Sequence, residues 1–429
     1  MGILDLTGWL FVTAQFRHSI IWSVLIAFFL IIIFLWWYVK RDGKVTDGEL
    51  WGVSLTTSVF ALLATIAIGN LSMNRSLHEE RDYGKETILT NPDKTETYLK
   101  TYEKDNGALV RIPTGILVQS VEFASAYNVK VSGYIWQRWN KNKMPADVKP
   151  GVIMPEGDIV TFGEPAYRVQ NGPDEEVIGW YFSTTLREPF FYNKYPLDMQ
   201  EIWIRIWPTD FHKNVVLVPD FSSYPGTKLS DVVERRKFSD YSELIGLDSA
   251  LVLERWLVNN VFFSYYLNRY NTNFGIDSYQ GQNGFPELYY NLSVTRDFSD
   301  AFFANVIPPV MVILLSFMGL LLSTKIDALF ERHATATSAM LAYYGMLFFI
   351  PITAQYAMRR EVGAQGITYL DYFYFSSYFA LMLVSLNAIL INSTASWGWL
   401  TWRNNILPKT FFLPIVLSCI MFAMMWIYY

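Results

Sequence analysis

One apolar stretch in the second half of the chain carries residues whose types and order suit the passage of ions. They recur at alternating steps of three and four, which places them on one stripe of a helix. In chain order the stripe consists of Glu331, Ala334, Ser338, Leu341, Gly345, Phe348 and Ile352. It passes from a carboxylate through small or hydroxyl-bearing side chains to bulky apolar ones, as the wall of a pore requires. We interpret the stripe as a pore lining; the alternative is a packed membrane helix whose small residues let neighbouring helices approach.

Long apolar blocks supply the elements that must hold such a helix. The chain of 429 residues is 52% hydrophobic, and six apolar blocks approach the ~20 residues that cross a bilayer. The blocks are Ser19 to Val39, Trp51 to Leu71, Phe303 to Leu322, Ala334 to Ala354, Tyr372 to Ile391 and Phe411 to Tyr429. The first block is too long for the apolar region of a signal peptide and no small-x-small cleavage site follows it, so we expect a membrane anchor. The sequence therefore predicts a multi-pass membrane protein.

Composition and motifs argue against several classes of function. The net charge of −5 is spread along the chain, whereas a nucleic-acid-binding protein concentrates basic residues on one face. One cysteine, Cys419, cannot form a disulfide within the chain. The histidines His18, His78, His212 and His333 lack the spacing of metal ligands, and the sequence has no phosphate-binding glycine loop or serine elbow. We therefore expect that the protein is not an enzyme and that it binds no cofactor, metal or nucleic acid.

The segment between the second and third apolar blocks is predicted to form a β-rich domain outside the membrane. Residues 73–106 are rich in charge and lack a clean apolar period, so we expect a charged linker or a peripheral helix there. From residue 107 to residue 300, apolar and polar residues alternate in runs such as 129–135, 201–207 and 287–295. This alternation is typical of an antiparallel sandwich in which each strand has one buried and one exposed face.

A loop within this domain resembles the signature of a known family. The run Tyr195-Pro196-Leu197-Asp198-Met199-Gln200 is similar to the aromatic-Pro-x-Asp-x-Gln motif of pentameric ligand-gated ion channels. Other matches follow in that family's chain order: Trp136 to Trp139, Glu164 to Asn171, Arg296 before Ile307-Pro308, Glu331 at the selectivity position, Leu341 at mid-pore and Phe348 at an outer gate. Paired cysteines are absent, Lys141 replaces an acidic residue and the connection 355–366 is long, which fits a prokaryotic-like member.

The resemblance implies a homopentamer in the cell (inner) membrane. Each subunit would be an α+β membrane protein with an extracellular or periplasmic antiparallel β-sandwich at residues 107–300. A four-helix transmembrane bundle at residues 301–429 would follow, with its pore helix at about 331–354. Two additional transmembrane helices at residues 1–72 are not part of the usual plan, and their even number places both chain termini outside.

The resemblance also implies how the channel would select and gate ions. Five Glu331 carboxylates would form a ring that concentrates monovalent cations and repels anions. The alternative is that Glu331 only caps the start of the helix, where its negative charge interacts favourably with the positive end of the helix dipole. Leu341 and Phe348 would form apolar constrictions that close by dewetting.

The same resemblance implies coupling and ligand-binding residues. The loop of Tyr195 and Pro196 would press on the connection that contains Arg359 and Arg360, whose guanidinium groups could pair with Asp198 or with the surroundings of Arg296; the alternative is a solvated loop. A ligand such as a small amine, or protons, would act at the outer domain, where aromatic faces suit cations. Aromatic candidates are Tyr167, Trp207, Phe211, Tyr270, Tyr279 and Phe285 on one side, with Tyr134 and Trp136 from the neighbouring subunit.

The main alternative function is a membrane sensor or assembly protein that does not conduct. Such a protein would keep the channel architecture and use its first two helices to contact a partner. A secondary transporter is disfavoured because the sequence shows no internal repeat.

Overall fold

Alternating sequence runs form strands in this protein, and continuous apolar runs form helices. The structure is a computed structural model that describes residues 46–73, 86–158, 162–226, 241–277, 279, 284–297, 301–323, 330–363, 366–391 and 402–428. The described strands are β1 (Glu86–Leu89), β2 (Val110–Phe123), β3 (Asn128–Asn140), β4 (Val152–Ile153), β5 (Tyr167–Gln170), β6 (Glu175–Arg187), β7 (Met199–Pro208), β8 (Val215–Pro219), β9 (Trp256–Asn268) and β10 (Phe285–Arg296). The described α-helices are α1 (Asp47–Met73), α2 (Pro92–Asn106), α3 (Ile307–Leu322), α4 (Phe330–Val362), α5 (Tyr369–Ile391) and α6 (Ile406–Tyr428).

Five of the described helices, all except α2, are long and apolar enough to cross a membrane. They coincide with the last five apolar blocks of the sequence, and together with the β-sheets they indicate an α+β membrane protein. The first block, Ser19 to Val39, lies outside the described residues.

The strands form two five-stranded sheets. The first sheet has the order β1-β9-β10-β7-β4 and the second has the order β5-β6-β3-β2-β8. The pairings are antiparallel except that β2 runs parallel to β8. Aromatic side chains from the two sheets meet, since Phe123 of β2 stacks on Trp256 of β9 with ring centroids 4.5 Å apart.

The predicted alternation is confirmed in β3 and β7 and is wrong for β10. In β10 the side chains from Pro286 to Val294 are all buried, although the alternation predicts an exposed polar face. The reason is that side chains from β7, β9 and the loop after β9 cover the polar face of β10: Arg205, Asn268 and Tyr270 contact Glu287, and Asn268 also contacts Tyr289. Most of the buried polar groups there are hydrogen-bonded: Asn268 Nδ2 donates to Tyr289 OH (2.7 Å), and Asn291 Nδ2 donates to Ser264 Oγ (2.8 Å). The buried hydroxyl of Ser293 has no partner among the described residues.

The charged region predicted as a linker or peripheral helix at residues 73–106 contains helix α2. The side chain of Asn91 accepts a hydrogen bond from the backbone N–H of Lys94 (2.8 Å), Pro92 occupies the first turn, and Gly107 follows the last residue with φ of +87°. The region also contains β1, which pairs with β9 at the edge of the first sheet and which the sequence pattern does not predict. A four-residue strand is too short to show a recognisable period.

Helix α4 is longer than the predicted pore helix. We expected a helix of about 331–354 and then a long connection, but the helix continues to Val362. Its added turns hold Gln355 and Arg359 against Asp371 at the start of α5, and Arg359 and Arg360 lie in the last turn, where cations favour the negative end of the helix dipole.

The described residues divide into two units. The helical unit contains α1, α3, α4, α5 and α6 together with the short segment Tyr192–Leu197, and the remaining described residues form the β unit. In the helical unit, α3, α5 and α6 share an apolar core to which α4 contributes Tyr344 and Leu347. Helix α1 packs on α6, where Ala61 and Ile68 join a cluster with Met421, Met424 and Met425.

A buried ion pair links two neighbouring strands, β7 and β10, of the first sheet in the β unit. Asp198 has a side-chain exposure of 1%, and its two carboxylate oxygens accept hydrogen bonds from Arg296 Nε (2.8 Å) and Nη2 (3.0 Å). Gln200 Nε2 also donates to Asp198 (2.9 Å), and the Arg296 guanidinium lies 4.1 Å from the ring centroid of Trp256. The pair therefore joins the residue immediately before β7 to the last residue of β10.

Replacing Asp198 with Ala is expected to lower the free energy of unfolding by about 3 kcal/mol, because it leaves a largely buried guanidinium without its carboxylate partner. Chemical denaturation of the full chain in detergent, followed by tryptophan fluorescence, measures the change. The matched control is Arg168→Ala, which removes an exposed pair with Glu176 (2.9 Å) and should cost less than about 1 kcal/mol. Equal losses in the two variants would contradict the structural role of Asp198.

Candidate ligand site and pore helix

Five of the six aromatic candidates on one side lie together, at the end of β7, in the loop between β9 and β10 and at the start of β10. Trp207 lies 5.2 Å from Phe211 and 5.6 Å from Tyr270, measured between ring centroids. Phe211 lies 5.8 Å from Tyr279. Phe285 lines a small cavity together with Trp207, Phe211 and Tyr279. We call Trp207, Phe211, Tyr270, Phe274 and Tyr279 the Trp207 cluster.

Phe274 belongs to this cluster and was not predicted. Its ring lies 5.5 to 6.1 Å from the other four rings. The backbone of Phe274 is left-handed, with φ of +53°, which costs about 1 kcal/mol in a residue other than glycine. Thr272 Oγ1 accepts from the N–H of Phe274 (3.1 Å) and Asn273 Oδ1 accepts from that of Gly275 (3.0 Å), which stabilises the turn. The turn-forming Asn-Phe-Gly run is the sequence signal that could have identified it.

A buried carboxylate lies behind the rings. Glu287 of β10 is 6% exposed and accepts hydrogen bonds from Tyr270 OH (2.7 Å) and from Asn268. Arg205 lies 3.4 Å from Glu287, donates to Tyr270 OH (2.7 Å) and also binds Glu156. Burial raises the pKa of Glu287, and the hydrogen bonds and Arg205 oppose the shift without cancelling it. When Glu156 and Glu287 are both ionised, their two negative charges and the positive charge of Arg205 lie next to the rings.

The space within the Trp207 cluster is small. The cavity lined by Trp207, Phe211, Tyr279 and Phe285 has a volume of about 20 Å³, which is room for about one water molecule. The rings therefore pack against one another in this structure.

The other aromatic candidates lie on the second sheet. Tyr134 and Trp136 are on β3, where Tyr134 contacts Tyr181 (5.5 Å) and Trp136 occupies the space in which a side chain at Gly115 would lie. Tyr167 was expected beside Trp207, but it lies on β5 of the second sheet, where its ring occupies the space above Gly179. A glycine on the adjacent strand admits the ring in both cases, and no periodic pattern reveals that pairing.

A buried aspartate holds Trp136 in place. Asp220 is 4% exposed and accepts hydrogen bonds from Trp136 Nε1 (3.1 Å), Arg138 Nε (2.8 Å), Ser222 Oγ (2.6 Å) and Ser223 Oγ. Burial alone would raise the pKa of Asp220, but these hydrogen bonds outweigh it and lower the pKa. Asp220 and Arg138 were not predicted, because they become neighbours only when β3 and the residues after β8 come together.

The predicted stripe lies on an incompletely covered face of α4. Only 17% of the apolar window of α4 is buried, compared with 28% to 50% in the other four described apolar helices. Ser338, Gly345, Phe348 and Ile352 are exposed and Leu341 is half-buried, while Phe348 also contacts Tyr378 (5.3 Å). The side chains of Glu331 and Ala334 lie outside the described part, although their backbone belongs to α4.

The stripe adjoins the buried seam of α4 instead of lying opposite to it. Tyr344, Leu347 and Pro351 face the other helices, and Gly345, Phe348 and Ile352 each follow one residue later. One residue rotates a helix position by about 100°. The most exposed side chains on α4 lie further round; they are Met346 (67%), Phe349 (68%) and Tyr356 (71%).

The predicted coupling residues fall into separate contacts. Within the helical unit, the hydroxyl of buried Tyr195 accepts from Asn305 Nδ2 (3.0 Å), and Asn193 O accepts from the N–H of Tyr369 (2.7 Å). Pro196, which follows a cis peptide bond, is also buried.

The predicted pairing of Arg359 with Asp198 is wrong for this structure. Arg359 binds Asp371 through Nε (3.1 Å) and Nη2 (2.8 Å), whereas Asp198 binds Arg296. The helical extension of α4 explains the difference, because it directs Arg359 towards α5. Arg360 is exposed in the same turn.

The sequence of the chain matches no protein-family model and no curated protein. Among the described residues, no group of three or more histidine, cysteine, aspartate or glutamate side chains is placed to hold a metal ion.

The raised pKa of Glu287 predicts a specific dependence of stability on pH. Since the folded-state pKa lies above the unfolded value of about 4.3, protonation favours the folded state, and this contribution is lost as pH rises from about 4.3 through the folded pKa. In Glu287→Gln the loss is absent. We expect the free energy of unfolding of the variant, relative to wild type, to increase as pH rises through this window in denaturation at a series of pH values.

Glu103→Gln is the control of opposite sign. Burial would raise the pKa of Glu103, but hydrogen bonds from Arg111 and from the N–H of Leu109 lower it. Ionised Glu103 therefore stabilises the fold above a pH of about 4.3 and loses this effect as pH falls through the lowered pKa. The relative stability of Glu103→Gln should decrease as pH rises. The same trend in both variants would refute the environment described for Glu287.

Proposed function

We propose that the protein is a homopentameric ligand-gated channel for monovalent cations. In this proposal the two sheets form a sandwich outside the cell membrane, a small amine or protons act there, and five α4 helices surround the pore. Support comes from the signature loop around Asp198, the aromatic clusters and the helix pattern. The observation that carries the proposal is the uncovered surface of α4.

A helix that only contacts lipid has no need for polar side chains or glycine on its exposed face. Ser338 and Gly345 are exposed on α4, and open space lies where a side chain of Gly345 would begin. Exposed hydroxyl groups and backbone favour water, whereas neighbouring Phe348 and half-buried Leu341 disfavour it. This combination supports a face that borders a water path with apolar constrictions.

The ligand part of the proposal combines two aromatic surfaces. The Trp207 cluster on one subunit would face Tyr134, Trp136 and Tyr167 on the next. Aromatic rings attract cations through their negative faces, and Glu156 and Glu287, which share Arg205, leave one net negative charge beside the first surface when both are ionised. This chemistry favours a cationic amine over an anion.

The segment Tyr192–Leu197 would transmit ligand binding to the pore. It continues directly into β7, yet Tyr195 and Asn193 make their contacts with residues of the helical unit. Tyr374, which donates to the backbone carbonyl of Asn305 (3.0 Å), and Asp371, which binds Arg359 of α4, both belong to α5. Residues of α5 thus connect the contacts of Tyr195 with those of the pore helix.

Recording from purified protein in a planar bilayer, across pH and a panel of small amines, tests the function. We expect currents carried by cations, and Glu331→Ala should shift the reversal potential in a salt gradient towards the value for no selectivity, because the carboxylate ring is lost. The control Asp93→Ala removes an exposed carboxylate on α2 and should leave selectivity unchanged. Unchanged cation preference in Glu331→Ala would eliminate the ring. Silence under all conditions would favour the sensor alternative.

Leu341→Ser is expected to increase the resting current several-fold, since a hydroxyl lowers the cost of water in an apolar constriction. The matched control is Met346→Ser, which makes a similar change on the more exposed side of the same helix and should leave the resting current unchanged. Whole-cell or planar-bilayer current without agonist, normalised to surface expression, distinguishes them. A leak in Met346→Ser together with normal closure in Leu341→Ser would show that another face of α4 lines the pore.

A further inference from the structure

A cavity within the helical unit lies apart from the pore stripe and the aromatic clusters. It has a volume of about 380 Å³ and is bounded by α3, α5 and α6. This volume lies within the range of about 300 to 1,000 Å³ that is usual for small-molecule sites. The cavity is therefore large enough to receive a ligand without rearrangement of the helices.

The walls of the cavity are apolar except at one position. Leu320, Val384 and Phe412 form buried parts of the wall, and Asn387 of α5 is the polar residue among the described lining residues. Asn387 is 6% exposed, and both its Oδ1 and its Nδ2 are buried without a hydrogen-bond partner in the described structure. A carboxamide in this state is costly, because it has lost water and gained no replacement.

Another buried asparagine in the same unit, Asn305, has a hydrogen-bond partner for its amide. Asn305 is also 6% exposed, but its Nδ2 donates to Tyr195 OH (3.0 Å). Buried side-chain amides are normally paired in this way. The unpaired amide of Asn387 therefore points to a partner that the described residues do not supply.

The chemistry of the cavity restricts what that partner can be. A carboxamide both donates and accepts, so its best single partner is a group that also does both, such as a hydroxyl. No charged side chain is among the described lining residues, so a charged headgroup would be unpaired. Leu386 (48%), Phe411 (40%) and Ile415 (43%) line the cavity and are exposed on apolar helices, so the occupant enters from a hydrocarbon layer.

We propose that this cavity binds a neutral amphiphile dissolved in the membrane, whose single hydroxyl pairs with the Asn387 carboxamide and whose hydrocarbon part fills the apolar walls. The site does not involve the pore stripe or the outer aromatic clusters. The proposal therefore stands or falls independently of ion conduction.

A photoreactive octanol that carries an aliphatic diazirine tests the site on the full chain in lipid nanodiscs. We expect mass spectrometry to find the label on lining residues of α5 and α6, and n-octanol to compete more effectively than n-octane. Asn387→Leu has a similar shape and should reduce labelling about fivefold to tenfold, the value of one hydrogen bond. Ser376→Ala removes another polar group from α5, outside the cavity lining, and should label like wild type.

Two further measurements keep the test decisive. Asn387→Leu should unfold at a temperature no lower than wild type, since it removes an unpaired buried amide. Leu383→Trp should also reduce labelling, because it fills the cavity from the α5 side. Unchanged labelling in both variants, equal competition by n-octane and n-octanol, or a crosslink that places Leu386 against a second copy of the chain would overturn the proposal.

Discussion

The need to neutralise a buried carboxylate ties the start of β7 to the end of β10. Asp198 meets Arg296 immediately after the chain leaves the segment Tyr192–Leu197, and Gln200 holds the position before that segment, because its side chain exchanges two hydrogen bonds with the backbone of Phe191 (3.1 and 2.7 Å). Both ends of a six-residue excursion are thus fixed to the β unit. The residues between these two ends can then make specific contacts with helices, because both ends of the segment are held in position.

Buried polar groups recur on the outer side of the first sheet and connect its stability with its chemistry. Glu287, Tyr289 and Asn291 occupy alternate positions on β10, and each is held by a side chain from neighbouring β9. A network of this kind is stable only when its members are satisfied together. The Trp207 cluster rests on one end of it through Tyr270, so a change in the charge of Glu287 alters the support of the rings as well as their field.

Features that depend on local order were accessible from the sequence, and features that depend on distant pairing were not. Spacing alone predicted the strands around residues 129–135 and 201–207 and the helix that carries Leu341, because period and polarity are local properties. The burial of Glu287 depends on Arg205 and Asn268, which reach it only across two strand pairings. The end of α4 likewise depends on Asp371, and the position of Tyr167 depends on Gly179. In each case the deciding partner lies far away in sequence or on a neighbouring strand.

The contact between α1 and α6 changes the surroundings of the last helix. Ala61 and Ile68 cover the methionines at its C-terminal end, and Arg403 before its first turn pairs with Asp47 (3.0 Å) at the start of α1. Methionine side chains adapt their shape to a neighbour, so this seam tolerates small displacements of either helix. Part of the apolar surface of α6 is thus covered by an adaptable contact with α1 instead of being left open to lipid. If both helices cross a bilayer, a change in its thickness would act on α6 partly through the tilt of α1.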